Sequence, residues 1–197
     1  MPERVFFLCL LYVLLLPMIP FVYAHEAHEH GAAQLNIAVD GAQVSISLES
    51  PLANLLPFEH IPTTAEQKKQ VKNMARRMRQ AATLFQLTPA AECRFVMATL
   101  ASDKLDAELL DPTIPLESAR ADEGKAQSGK EKKTAKEEHG DLDANFSFIC
   151  AKPNDLNSVD IRLFAVWPNL EKIEVRAATP KGQRAAGLTA KKHVVSW

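Results

Sequence analysis

The sequence predicts an α+β fold: an antiparallel β-sheet of about six strands packed against one long amphipathic helix, with a disordered charged insertion. Three observations carry that expectation. Apolar residues alternate with polar ones in several short segments, they recur at helical spacing in one long segment, and 111–138 has neither pattern. The chain has 197 residues, 47% hydrophobic and 24% charged, with a formal net charge of -1. That apolar fraction is too high for a wholly disordered protein, and the balanced charge gives no polybasic footprint for nucleic acid.

Residues 1–24 stand apart. Arg4 precedes an apolar run that Pro17 and Pro20 interrupt, and Val22-Tyr23-Ala24 places small residues where signal peptidase needs them. The expectation is a cleaved export signal, leaving 25–197 as one α+β domain without stable membrane insertion. Cys9 would leave with the signal. Cys93 and Cys150 then remain, in a compartment where a disulfide persists.

The elements follow in order. Leu35, Ile37 and Val39 alternate with polar or small residues, as do Val44, Ile46 and Leu48, around Asp40-Gly41. This reads as a hairpin with Ile37 facing Val44 and Leu35 facing Ile46. Thr63 and Thr64, with Glu66 and Gln67 three residues on, offer two capping boxes. Behind them Val71, Met74, Met78, Ala81, Ala82 and Phe85 predict an amphipathic helix over 64–87. Its outer face carries Lys68, Lys69, Lys72, Arg76, Arg77 and Arg79, a solvated face in the first instance and otherwise a surface for membranes or acidic partners. The Met74 and Met78 pair reads as core packing.

The next strands, 92–100 and 145–151, match when Cys93 lies opposite Cys150, which brings Phe95 to Phe148 and Met97 to Phe146. A Cys93–Cys150 disulfide agrees with that register. Between them, 111–138 is rich in Lys and Glu and lacks aromatic residues, so it cannot bury enough surface to offset its ordering entropy. Further strands are expected at Val159, Ile161, Leu163 and Ala165, at Ile173, Val175 and Ala177, and at 193–197.

The histidines carry the chemistry. His25, His28 and His30 fall within six residues. Imidazole is a ligand for zinc, copper and nickel, and the hairpin register brings this cluster toward Glu59 and His60. His139, just before the strand of Cys150, can approach the same end of the sheet. Four ligands drawn from His28, His30, His60 and His139 satisfy a tetrahedral zinc ion, with His25 next in line. Glu59, Asp141, Glu26 and Glu29 would orient the imidazoles or substitute for them. His193 stands alone in the terminal strand. The blander readings are a flexible, weakly metal-binding arm for the cluster and an ordinary turn around His60.

At these residues the chain resembles the ZrgA family of periplasmic zinc-binding proteins associated with zinc uptake. The matching features are His25-Glu26-Ala27-His28-Glu29-His30-Gly31, the stretch from Ser50-Pro51 to Phe58-Glu59-His60, Phe148-Ile149-Cys150, and Leu163-Phe164 through Trp167-Pro168 to Ile173-Glu174-Val175. The resemblance implies a zinc-binding accessory in the periplasm of a Gram-negative bacterium, acting beside a zinc importer or its solute-binding protein and not as an enzyme. It also implies His28, His30, His60 and His139 as ligands. Family members commonly have a histidine-rich stretch where this chain has Lys and Glu, which argues against a multi-ion sponge.

Two other hypotheses compete. One is a copper site built from the amine and imidazole of His25 with His28 or His60. The other is an adaptor without metal, docking through the basic helix or the insertion. Hydrolytic chemistry lacks support, since neither Gly-x-Ser-x-Gly nor His-Glu-x-x-His occurs.

Overall fold

The computed structural model describes residues 29–111 and 140–197. The expected signal, His25, Glu26, His28, His139 and the insertion beyond Asp111 lie outside the described residues.

Nine strands form two sheets among the described residues. The larger sheet has the order β4-β5-β2-β1-β7-β8, where β1 is Ala32–Asp40, β2 Gln43–Pro51, β4 Cys93–Ala101, β5 Asp141–Cys150, β7 Lys172–Thr179 and β8 Gly182–Leu188. The smaller has the order β3-β6-β9, with β3 Phe85–Leu87, β6 Ser158–Ile161 and β9 Val194–Ser196. The principal helix, α1, is Ala65–Met78. Three single turns follow as α2 (Ala81–Leu84), α3 (Ala107–Leu110) and α4 (Leu163–Val166).

The purely antiparallel expectation fails at one place, because β7 lies parallel to β1. Its Ile173, Val175 and Ala177 stand beside Ala33, Leu35 and Ile37, so the parallel pairing extends the buried face of the hairpin without changing its side. The β1–β2 hairpin forms, but its loop is Gly41-Ala42. Ile37 therefore faces Ile46, Leu35 faces Leu48 and Val39 faces Val44. Gly41 takes φ +54° at the first loop position, which glycine adopts without steric cost. The two-residue change in pairing keeps the apolar residues on one face.

The expected 64–87 helix ends early. The Thr64 side chain accepts from the backbone of Gln67 and the Gln67 side chain accepts from the backbone of Thr64, completing the capping box. Val71, Met74, Ala75 and Met78 are buried, as a core stripe requires. After Arg79 the chain turns, Ala82 is exposed, and Phe85 becomes extended to pair with Ile161. Pairing in the small sheet outweighs continued helical periodicity. Leu163 and Ala165 likewise belong to α4 and not to a strand; a short apolar run does not distinguish the two conformations.

Cys93 lies opposite Cys150 and is bonded to it, and Phe95 meets Phe148 edge-on with ring centroids 5.6 Å apart. Beyond Phe95 the register slips by a bulge. Met97 then pairs with Ser147, Ala98 takes the place opposite Phe146, and Val96 and Met97 face outward.

The inner face of the large sheet, through Leu35, Ile46, Leu142, Phe146 and Val175, belongs to one core cluster with the stripe of α1 and with Phe85, Val159, Ile161 and Val195 of the small sheet. Phe85 and Phe146 meet across it at 4.9 Å.

Candidate metal-binding end of the sheet

The strand order decides which loops meet. β1 begins, β2 ends and β5 begins at the same end of the sheet, since Gln34 pairs with Glu49 and Pro51 with Asp141. Three segments far apart in sequence converge there: Glu29-His30-Gly31, the stretch from Pro51 to His60, and Gly140-Asp141.

The turn that carries His30 is held at several points. Ala32 N–H donates to Glu29 O at 3.0 Å. Gly31, at φ +84°, accepts on its carbonyl from Glu171 N–H at 2.7 Å and Lys172 N–H at 2.9 Å. Its own N–H donates to Asn54 Oδ1 at 2.7 Å. Asn54 is buried in the 3-10 turn Leu52–Asn54, and its Nδ2 donates to Ala32 O at 2.8 Å and to the buried Ser50 Oγ at 3.2 Å. One amide thus ties the end of β2 to the start of β1. Neither the Asn54 amide nor the Ser50 hydroxyl is among the residues that the sequence singles out for the site. The signal that marks Asn54 is a lone amide inside Pro51-Leu52-Ala53-Asn54-Leu55-Leu56, where a buried polar side chain must find partners.

On this frame His30 Nε2 stands 3.3 Å from Glu59 Oε1. The imidazole is 58% exposed and the carboxylate 21%, so ligands can reach the histidine while the acid lies in a less polar setting that strengthens its attraction for a cation. Glu59 Oε1 and Asp141 Oδ1 are both shielded from water. The chain entering β5 passes close beneath Glu59: Leu52 N–H donates to Gly140 O at 2.8 Å, and a Cβ placed on Gly140 would come within 3.0 Å of Glu59 O. Only glycine fits there.

His60 is adjacent in sequence but engaged elsewhere. Its Nε2 lies 3.0 Å from Gln67 Nε2, and its ring is 5.2 Å from that of Phe58. Glu29 is exposed at the mouth of this end, and Lys172 stands nearby on β7. The Lys172 ammonium is held above its ordinary value by its hydrogen bond to Glu174, then by the charge of that carboxylate, with a further contribution from Glu29. His193 is remote in sequence and pairs with Asp160 at 2.6 Å, which is also held by Arg162 at 3.1 Å.

The structure therefore brings together His30, Glu59 and the Gly140-Asp141 entry to β5, and it turns His60 toward Gln67. Among the described residues no three His, Cys, Asp or Glu side chains stand where they would hold one ion together. No helix of the described residues is long and apolar enough to cross a membrane.

No curated protein gives a significant match to the chain. The family model for the ZrgA family zinc uptake protein matches residues 27–197, which include the hairpin, Cys93 and Cys150, His28, His30, Glu59, His60 and His139. With nearly the whole chain covered, the protein belongs to the ZrgA family of zinc uptake proteins.

Proposed function

We propose that this is a periplasmic zinc-binding protein that captures or delivers zinc as an accessory to a zinc uptake system, with the His30–Glu59 end of the large sheet as its capture site. Zinc is its cargo, and the protein performs no catalysis. The observation that carries the reading is the 3.3 Å approach of His30 Nε2 to Glu59 Oε1 on a hydrogen-bonded turn beside the start of β5. A carboxylate beside an imidazole orients the ring and raises its basicity, or itself becomes a ligand.

The further ligands come from the chain on either side of this pair. His28 lies two residues before His30, His139 one residue before Gly140, and His60 directly after Glu59. With His30 they supply the four positions of a tetrahedral zinc ion, and His25 is a supplementary donor. Asp141, Glu26 and Glu29 orient or substitute. The export signal at 1–24 delivers the chain to the periplasm, where the zinc importer or its solute-binding protein receives the ion.

Zinc titration of the metal-free protein against a chromogenic chelator tests this. One zinc per chain with sub-micromolar affinity is expected. Replacing His28 and His30 together by Ala should abolish that affinity, and unchanged binding in the double variant would overturn the proposal. Glu59→Gln should weaken binding by about 10–100-fold if the carboxylate orients His30.

A further inference from the structure

Gln67 closes the cap of α1 and faces His60 at once. Its Oε1 accepts from Thr63 N–H at 3.0 Å, from Thr64 N–H at 3.1 Å and from the Thr63 hydroxyl at 3.3 Å. Those donors settle which end of the amide is oxygen, because a reversed amide would set its NH2 group against two backbone N–H groups. The NH2 group is therefore the end that meets His60 Nε2 at 3.0 Å. An NH2 group can only donate, so Nε2 must accept, and a neutral imidazole that accepts at Nε2 carries its proton on Nδ1.

We infer that Gln67 is a positioning residue for the proposed zinc site: it holds His60 as the Nδ1–H tautomer, with the Nε2 lone pair as the one a zinc ion takes, displacing the Gln67 amide. The inference rests on the proposed function for its zinc step and on the capping geometry alone for the tautomer. Coordination through Nδ1 is opposed by the same geometry. It would leave the ring proton on Nε2, pointing at an amide that has only protons to offer. The helix cap remains closed during the exchange, because Oε1 keeps its backbone donors while the NH2 group lets go.

The test is a long-range 15N–1H correlation spectrum of the histidine side chains of the whole 15N-labelled protein at pH 8. For wild type, His60 Nε2 is expected at the unprotonated position and Nδ1 at the protonated one. Gln67→Glu keeps an oxygen for Thr63 and Thr64 but gives His60 a second acceptor in place of a donor, so the pattern should invert to Nε2–H with the helix intact by circular dichroism. An unchanged His60 pattern in that variant, or an Nε2–H tautomer in wild type, overturns the inference.

Added zinc should shift Nε2 while Nδ1 keeps its proton, and should release the Gln67 side-chain amide resonances. Zinc-induced loss of the Nδ1 proton overturns the zinc step with zinc binding itself intact. Zinc that leaves every histidine unshifted overturns the proposed function while the tautomer of the metal-free protein still stands.

Discussion

Asn54→Ala puts the frame of the candidate site under direct test. The side chain is 2% exposed and makes bonds of 2.7, 2.8 and 3.2 Å to Gly31 N–H, Ala32 O and Ser50 Oγ. At about 1 kcal/mol net for each hydrogen bond, with a further cost where a buried partner is left unsatisfied, the loss should be about 3 kcal/mol. That corresponds to a fall in Tm of roughly 6–12 °C for a domain of this size. Urea unfolding of the metal-free protein, followed by circular dichroism, measures it. Zinc affinity should fall in parallel, since the Gly31–Asn54 bond anchors the turn that presents His30 to Glu59. Asn54→Asp is the informative companion: it keeps an acceptor for Gly31 N–H but turns a carboxylate toward Ala32 O, so it should destabilise at least as much. A change below about 0.5 kcal/mol, within the range of ordinary surface substitutions, with unaltered zinc affinity would refute the reasoning.

Three further outcomes are expected. Replacing Cys93 and Cys150 together by Ala opens a link between residues 57 apart in sequence, which should cost about 4 kcal/mol in the chain-entropy account and lower the urea midpoint. Gly140→Ala places a Cβ 2.9 Å from Leu52 Cδ1 and 3.0 Å from Glu59 O, so about 1–3 kcal/mol of destabilisation and weaker zinc binding should appear together in calorimetry and titration. Thr64→Ala removes the acceptor for Gln67 N–H and should cost about 1 kcal/mol in urea unfolding.

Much of this arrangement is legible in the sequence. The alternation on both sides of Asp40-Gly41 predicted the hairpin, and matched apolar faces around Cys93 and Cys150 predicted their pairing, because burial on one face and a covalent link both restrict register. What escaped the sequence depended on distant partners. The parallel seat of β7 beside β1 joins residues more than a hundred positions apart, and nothing local announces it. Nor does β8, a Gly- and Ala-rich edge strand of low intrinsic preference that exists because β7 offers it a ladder. Phe85 fitted the helical period equally well until Ile161 provided a strand to pair with.

The site divides along the same line. His30 beside Glu59 follows from the hairpin and its antiparallel register, which return the end of β2 to the start of β1. The role of Asn54 does not, since a single amide among leucines shows that a partner exists without saying which. Sequence adjacency to Glu59 predicts His60 beside the cluster, whereas its side chain meets the helix cap through Gln67. Two adjacent residues, Glu59 and His60, thus meet different partners, His30 and Gln67, which sequence spacing alone cannot distinguish.

Crystals of zinc-loaded protein, measured on both sides of the zinc absorption edge, test the central claim most directly. The account predicts one strong anomalous peak per chain at the start of β1, about 2.0–2.1 Å from a nitrogen of His30 and within ligand or hydrogen-bond reach of Glu59. A peak confined to His193, or zinc bound with neither His30 nor Glu59 nearby, would contradict it.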